Sequence, residues 1–225
     1  MAELFVVRHG QASFGASNYD QLSELGKQQS QWLGEYFRAR DYQFEHVWRG
    51  DLQRHAQTAA GIVAHLPGAC GQSVCAGFNE FDFASICQAY LQHQPQHQPQ
   101  TGASRQDYYR LLKRAMLAWS QDQLSSEHLS ESWSDFRQRV QQSLNTIMQQ
   151  HEQGPILLVS SGGVIAMMMS LALNLEAHQV VELNLQIRNS SVSHFHFNQQ
   201  HIRLSSFNTV GHLDQPDRLG AITYS

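Results

Sequence analysis

The chain has 225 residues, of which 41% are hydrophobic, and its 15 basic and 19 acidic side chains give a formal net charge of −4. This size and apolar content suit one α/β domain, or one domain that carries an insertion. No basic face, signal peptide or apolar run of the ~18 residues that span a membrane is evident, so we expect a cytoplasmic protein without nucleic-acid or membrane partners.

The first predicted strand ends in a tripeptide suited to an anion. Residues 4–7 are all apolar, which predicts a short strand buried on both faces. Arg8, His9 and Gly10 follow it, and ligands bind at the carboxyl ends of strands in open α/β sheets. Arg8 indicates an anionic ligand, and His9 could be a nucleophile, a base or a metal ligand. Alternatively, this is an ordinary strand end with two polar residues.

Helix and strand alternate along the next part of the chain. The patterns predict a helix over 23–40 that begins at Ser23, a strand over 44–48, a helix over 51–63 that begins at Asp51, and a strand over 73–76. Arg54 lies one turn into the second of these helices, and Glu80 follows the last strand. Strands that alternate with helices favour a largely parallel sheet with helices on both faces.

The three cysteines indicate a reducing compartment. Cys70, Cys75 and Cys87 are odd in number and show no CxxC spacing. We therefore expect free thiols.

Residues 84–134 differ from the rest of the chain and are predicted to form a helical insertion over the sheet edge. The run 93–100 is rich in glutamine and contains two prolines, which is typical of an exposed loop. A helix is predicted over 107–124, and another over 134–151. A segment in this place is able to shape a pocket, but it carries no readable motif.

A second apolar strand, predicted over 156–159, leads into a glycine turn. Ser161 and Gly162 stand in this turn, just before a predicted helix over 164–173, and free N–H groups at such a helix start make an anion cradle. The remaining patterns predict strands over 180–187, 192–197 and 202–207. Together the elements predict a three-layer α/β/α sandwich around a mostly parallel sheet.

Two histidines on one of these strands could form a metal pair. His194 and His196 alternate along the strand and share a face. No carboxylate or cysteine spacing supports a site, so we predict no metal.

The predicted strand ends combine groups that suit phosphoryl transfer. Arg8 and Arg54 can hold the non-bridging oxygens of a phosphoryl group in bidentate fashion. The reaction then needs a nucleophile and a proton donor for the leaving oxygen, and His9 and Glu80 fit these roles.

In this order the motifs resemble those of the histidine phosphatase superfamily, the phosphoglycerate mutase-like proteins. Arg8-His9-Gly10 is similar to the signature tripeptide of that family. Residues 22–29 resemble its Leu-Thr-x-x-Gly-x-x-Gln segment, and residues 52–59 resemble its Leu-x-Arg-Ala-x-x-Thr-Ala helix. Glu80 falls where the family has its acid, and the pairs 131–132 and 139–140 resemble a later segment.

The resemblance implies one phosphoglycerate mutase-like domain over 1–225 and a phosphohistidine mechanism. His9 attacks phosphorus, Arg8 and Arg54 stabilise the charged oxygens, and Glu80 protonates the leaving group. Water then hydrolyses the phosphohistidine, and neither a metal nor another cofactor is required. The implied substrate is a small phosphorylated molecule or a phosphoprotein.

One departure from the family pattern affects the site directly. The family strand ends in Ser-His-Gly, whereas this chain has Ser161 at the place of the histidine. Losing one such donor commonly costs about 10²–10³ in rate. We hypothesise that the N–H groups of Gly162 and Gly163 supply part of the donation, or that His212 enters from the C-terminal region.

Two smaller departures lie elsewhere. The family asparagine that follows the first strand is absent, and we hypothesise that Ser13 or Asn18 compensates for it. Asp82, two residues after Glu80, is an alternative acid.

Three functions therefore stay open at the level of the sequence. The leading one is hydrolysis of a phosphate monoester, and a mutase is a weaker alternative because the site has lost a ligand group. The third is a non-catalytic protein that binds a phosphorylated ligand, which the serine at position 161 favours. Ser161 could also be only the N-cap of the next helix, and neither the substrate nor the oligomeric state is predicted.

Overall fold

The computed structural model describes residues 1–13, 20–68, 70–100, 102–151 and 154–224, apart from the side chain of Arg105. The strands are β1 (Ala2–Arg8), β2 (His46–Arg49), β3 (Gly71–Val74), β4 (Pro155–Ser160), β5 (Val192–Phe197) and β6 (Ile202–Thr209). The helices are α1 (Glu24–Arg38), α2 (Gln53–Val63), α3 (Phe83–His93), α4 (Arg105–Ser120), α5 (Trp133–Gln150), α6 (Gly162–Leu173) and α7 (Ala177–Asn184).

The strands form one sheet in the order β3-β2-β4-β1-β5-β6. The first four strands run parallel to one another. β5 pairs with β1 in the antiparallel direction, and β6 in turn pairs antiparallel with β5. The mostly parallel α/β sheet predicted from the sequence is thereby confirmed. The register pairs Arg8 of β1 with Ser160 of β4, which brings the residues after both strands to the same edge of the sheet.

Alternate residues of β1 pack on opposite faces of the sheet, because successive side chains of a strand point to opposite sides. Phe5 and Val7 join a core with Phe37 of α1 and Ile62 of α2. Leu4 and Val6 join a larger core that includes residues of α4, α5 and α6. The sheet is therefore covered on both faces, and residues 4–7 of β1 are buried.

Residues 84–134 are largely helical, and they contain one helix that the sequence analysis did not identify. α3 begins at Phe83 because the carboxylate of Asp82 accepts hydrogen bonds from the amides of Ala84 and Ser85. The predicted helix over 107–124 corresponds to α4, which begins earlier, at Arg105. Ser104 and Asp107 form a capping box at its start. The run 93–100 contains a short 3-10 helix, Pro95–His97.

The predicted strand over 180–187 is wrong, because this region contains α7. Val180 and Val181 are β-branched, a residue type typical of strands, yet both are buried residues of this helix. Glu176 and Gln179 form a capping box that starts this helix. Local capping and tertiary packing therefore override the strand preference of valine.

The predicted start of the second helix is also wrong. Leu52, not Asp51, is the N-cap of α2, and its side chain makes no capping bond. The carboxylate of Asp20 accepts a hydrogen bond from the amide of Gln53 instead, at 2.9 Å. Asp20, which is distant in the sequence, thus accepts a hydrogen bond from one of the free amides in the first turn of α2.

Cys70, Cys75 and Cys87 are free, as predicted. Within the part of the chain that the structure describes, no helix combines the length and the apolar character needed to cross a bilayer.

Candidate active site

Gly10 allows the end of β1 to approach helix α1 closely. A Cβ atom at Gly10 would lie 2.4 Å from the carbonyl oxygen of Gly26, so only glycine fits without a shift. The amide of Gly10 donates to Oγ1 of Thr58 (3.1 Å), and that hydroxyl donates to the carbonyl of Arg54 (2.8 Å). The end of β1 is thereby connected to the first turn of α2, which carries the second arginine.

His9 is held as a neutral imidazole with one nitrogen available. Its Nδ1 lies 2.7 Å from the carbonyl oxygen of Gly10, which can only accept, so Nδ1 carries the proton and Nε2 has the lone pair. Burial lowers the pKa of His9 well below its usual value, and the charges of Arg54 and Arg8 lower it further. The side chain is only 4% exposed, yet it lines a pocket. This arrangement suits a nucleophile.

Arg8 and Arg54 place two cations beside His9. Arg8 Nη1 donates to the carbonyl oxygens of Tyr224 (2.7 Å) and Ile187. Arg54 Nη1 forms an ion pair with Asp20 at 2.7 Å. Both arginines line the same pocket as His9. Their guanidinium groups are fixed by these contacts and are suited to bind an anion there.

The carboxylate of Glu80 contacts the first turn of helix α6 and lies at the pocket wall. Its Oε2 accepts from the amide of Gly163 (3.1 Å), and its Oε1 accepts from the amide of Phe81 (3.2 Å). Burial raises the pKa of Glu80, and these hydrogen bonds together with the two arginines oppose the rise. A raised carboxyl pKa favours the protonated form that a general acid needs.

An ion pair between Arg139 of α5 and Glu131, which precedes that helix, lies beside the loop that carries Glu80. Arg139 contacts both carboxylate oxygens of Glu131 at 2.7 Å. Its Nη1 also donates to the carbonyl oxygens of Gly77 and Asn79. Asp82, the alternative acid, instead caps α3 and accepts from Ser130 at 3.0 Å, and it is not part of the described pocket lining.

The pocket that contains these groups has a volume of about 670 Å³. Arg8, His9, Arg54 and Glu80 stand together in its lining. The rest of the described lining comes mainly from α3 and α4, which belong to the segment 84–134. That segment is therefore placed to shape the space next to His9.

Ser161 and Gly162, the predicted anion cradle, are not part of the described lining of this pocket. Ser161 occupies the N-cap position of α6 without a capping bond from its side chain, and it is fully buried. Its Oγ lies 2.7 Å from Nε2 of His55.

His55 is a residue that the sequence analysis missed. Its ring is fully buried on α2, and its centroid lies 5.8 Å from that of His9. Burial lowers the pKa of His55 well below its usual value, and the charges of Arg54 and Arg49 add to this effect. The signal was present in residues 52–59, because His55 stands where the family motif has alanine.

The other proposed compensating residues are not in the described pocket lining. Nε2 of His212 lies 2.8 Å from Oγ of Ser190, and burial together with Arg218 lowers the pKa of His212 to about 3. The Ser190 amide in turn donates to the carbonyl of His9 at 3.2 Å, so His212 supports the backbone behind the site. Ser13 donates its amide to Gln21, and Asn18 lies outside the described residues.

Comparison with known proteins gives consistent matches. A sequence profile of the histidine phosphatase superfamily (branch 1) matches residues 4–210. A protein of Erwinia tasmaniensis named probable phosphoglycerate mutase GpmB is 28% identical over 201 residues, which cover 86% of this chain and 84% of that protein.

Solved structures of the same architecture include both mutases and phosphatases. The phosphoglycerate mutase of Bacillus anthracis matches with a TM-score of 0.68 and 17% identity, over 94% of each chain. A phosphoserine phosphatase variant of Entamoeba histolytica, solved with phosphoserine, matches with a TM-score of 0.65 and 19% identity, over 95% of this chain and all (100%) of that one. These matches confirm the predicted phosphoglycerate mutase-like fold.

Proposed function

Because the chain belongs to the histidine phosphatase superfamily, we propose that it hydrolyses phosphate monoesters through a phosphohistidine intermediate on His9. The observation that carries the proposal is that Arg8, His9, Arg54 and Glu80 line one pocket. The substrate is a small phosphorylated molecule or a phosphoprotein.

In the first step, the Nε2 lone pair of His9 attacks phosphorus. The bond between phosphorus and the ester oxygen breaks, and the proton of Glu80 moves to that oxygen, so a neutral alcohol leaves. Arg8 and Arg54 neutralise the non-bridging oxygens while charge accumulates on them. The Gly10 carbonyl holds the proton on Nδ1 and keeps the ring oriented.

In the second step, water attacks the phosphohistidine. The Glu80 carboxylate takes a proton from that water as the bond between Nε2 and phosphorus breaks. Inorganic phosphate leaves, His9 is again neutral, and Glu80 is again protonated. Every proton transfer uses a group already at the pocket wall, so the scheme needs neither a metal nor another cofactor.

We also assign His55 and Ser161 together to the place of the family's second histidine. The two departures from the family motifs are complementary: histidine stands where the family has alanine, and serine where the family has histidine. The hydrogen bond between the two side chains brings an imidazole next to His9 from α2 instead of from the end of β4. Their role is to position His9 and the phosphoryl group, since neither residue is in the described lining of the pocket.

The experiment that tests the function is turnover of p-nitrophenyl phosphate in the presence of EDTA. We expect activity in the native protein, its loss in His9→Ala, and an acid-labile phosphoenzyme that forms only in the native protein. His201→Ala is a matched control, because His201 is exposed in the turn between β5 and β6.

Equal rates in native protein and His9→Ala would contradict the proposed nucleophile. Binding of phosphate or vanadate without turnover of any ester would instead support the non-catalytic alternative. Turnover of phosphoglycerate that requires a bisphosphate primer would support a mutase.

A further inference from the structure

We propose that the alcohol released by this site is bulky and largely apolar, an aliphatic or aromatic alcohol rather than a short carboxylated one such as glycerate or serine. This inference rests on the proposed function of the His9 pocket. It concerns the part of the substrate beyond the phosphoryl group.

The pocket is larger than a phosphoryl group and a short alcohol need. Its volume of about 670 Å³ falls within the range of roughly 300–1,000 Å³ that is typical of sites for drug-sized ligands. The catalytic groups occupy only one part of the wall. The remaining volume is available to the leaving group.

The described wall beyond the catalytic groups is mainly apolar and aromatic. Phe83 and Cys87 come from α3, and Tyr108 and Leu112 come from α4. Phe83 is 40% exposed and Tyr108 is 51% exposed, so both present apolar surface that a ligand can cover. Burial raises the pKa of the Cys87 thiol to about 11, so the thiol is neutral at pH 7.

The charges of the pocket disfavour a carboxylated leaving group. Among the described lining residues the cations are Arg8 and Arg54, and both stand with His9 at the phosphoryl end. Glu80 would repel a substrate carboxylate when ionised. A neutral alcohol avoids this repulsion and gains contact with the apolar wall.

The test is a series of n-alkyl phosphates from ethyl to octyl, compared with 3-phosphoglycerate. The alkyl leaving groups have nearly equal basicity, so differences in kcat/KM report contact with the wall rather than intrinsic reactivity. We expect kcat/KM to rise by up to about four-fold for each methylene that becomes buried. Hexyl phosphate should exceed 3-phosphoglycerate by at least about ten-fold.

Substitutions in α3 and α4 test which side chains of the pocket produce the preference for long alkyl groups. Phe83→Ser and Tyr108→Ser change side chains that are partly exposed in the pocket, and we expect both variants to reduce the dependence of kcat/KM on chain length. Leu219→Ser is the control, because Leu219 is 53% exposed and outside the described pocket lining.

Two outcomes would overturn the inference while the proposed function stands. One is a flat series with turnover that depends on His9, and the other is a kcat/KM for 3-phosphoglycerate above that of hexyl phosphate. If no ester is turned over, or if turnover survives in His9→Ala, the proposed function itself fails and this inference fails with it.

A second inference rests on a different cluster, at the opposite end of β1. Glu3 of β1 pairs across the sheet with His196 of β5, and His194 lies two residues away on the same face. The potential ligand atoms of these three residues lie within 4.8 Å of one another, and His194 Nε2 is 3.1 Å from a carboxylate oxygen of Glu3. Arg8 follows Glu3 by five positions along β1, and at the usual rise per residue of a strand this separates the cluster from the active site by ~16 Å.

The geometry points to a binding site for a divalent transition metal, with Zn²⁺ as the best fit. Two imidazoles and one carboxylate are a common zinc ligand set, with water as a fourth ligand. His194 stacks on Phe5 with ring centroids 4.2 Å apart and an interplanar angle of 11°, which fixes its orientation.

Calorimetric titration of chelator-treated protein with ZnCl₂ tests this site. We expect one equivalent to bind, and we expect that equivalent to be lost in Glu3→Gln and in His196→Gln but not in His201→Ala. Co²⁺ should give the visible absorption of a four-coordinate site in the native protein and in His201→Ala, but not in Glu3→Gln or His196→Gln. Retention of the same stoichiometry and affinity in His196→Gln would overturn the site, as would the absence of binding to native protein.

Discussion

Nε2 of His55 and Oγ of Ser161 lie 2.7 Å apart, in a contact that joins the first turn of α2 to the start of α6. Each residue by itself departs from the family pattern, and we propose that the contact makes the two departures one rearrangement. The imidazole that β4 lacks is present on α2, beside His9.

A swap of these two residues tests the rearrangement. His55→Ala should lower kcat by up to about 10²-fold, because His9 loses the buried imidazole beside it and a small misplacement of a reacting group has an effect of this size. Ser161→His alone should also be impaired, because two imidazoles then compete for one buried space. The double variant His55→Ala/Ser161→His restores the family arrangement and should recover most of the activity. Steady-state kinetics and thermal unfolding of the native protein, the two single variants and the double variant measure these effects on activity and stability.

Ser161→Ala serves as the control for the hydrogen bond itself, and we expect a several-fold decrease in kcat. Unchanged kinetics in His55→Ala would remove the positioning role. A double variant that folds but is no more active than His55→Ala would contradict the exchange of places.

Glu80→Gln should separate substrates by their leaving groups. Alkyl phosphates need a proton on the departing oxygen, so their kcat should fall by about 10²–10⁴-fold. p-Nitrophenyl phosphate releases a weakly basic oxygen and should lose far less. Asp82→Asn is the matched control, because Asp82 caps α3 outside the described pocket lining. Equal losses for both substrate types would argue against Glu80 as the acid.

The pH profile follows from the directions of two pKa shifts. The lowered pKa of His9 keeps the nucleophile neutral, so activity should persist below pH ~6.5. The raised pKa of Glu80 extends the protonated form toward neutral pH, so alkyl phosphate turnover should decrease as pH rises through that pKa. The decrease should be absent from the residual activity of Glu80→Gln. A profile that is the same in both proteins would contradict this assignment.

Much of this site is predictable from the sequence, and the reasons for the failures are physical. The apolar run of β1 and the glycine after His9 place Arg8 and His9 at the sheet edge, as predicted. α7 was mistaken for a strand because adjacent valines have the same signature on a buried helix face. His55 escaped notice because its significance depends on a residue 106 positions away, and the carboxylate beside His194 comes from a different strand.

Stability should decrease at acidic pH because His212 is buried in its neutral form. Its pKa is lowered to about 3 in the folded protein, whereas the unfolded chain has the ordinary value of about 6.5. Between these values the unfolded state binds a proton that the folded state does not, so this stabilisation is present above pH ~6.5 and is lost as pH falls. At pH 5, one such histidine lowers the free energy of unfolding by about 2 kcal/mol relative to its value above pH ~6.5.

Urea unfolding at pH 7.5 and pH 5.0 measures this effect. His212→Gln loses the bond to Ser190 and should be less stable at pH 7.5, but its loss of stability between the two pH values should be smaller than that of native protein. His201→Ala should retain the native pH dependence, since His201 is exposed. The same pH dependence in His212→Gln and native protein would show that another group is responsible.

Gly163 should tolerate no side chain, because the carboxylate of Glu80 packs directly against its backbone. A Cβ atom there would lie 2.2 Å from Oε1 of Glu80 and 2.4 Å from the ring of Phe81. Gly163→Ala must therefore displace the carboxylate that the Gly163 amide holds. We expect kcat for alkyl phosphates to fall by at least ~10-fold, toward that of Glu80→Gln, and stability to fall by about 1–3 kcal/mol from overpacking. Gly220→Ala is the matched control, because a Cβ atom at Gly220 meets nothing within 4 Å. If Gly163→Ala loses stability but retains native kcat, the position of Glu80 is not what limits proton transfer, and the acid must be sought elsewhere in the pocket.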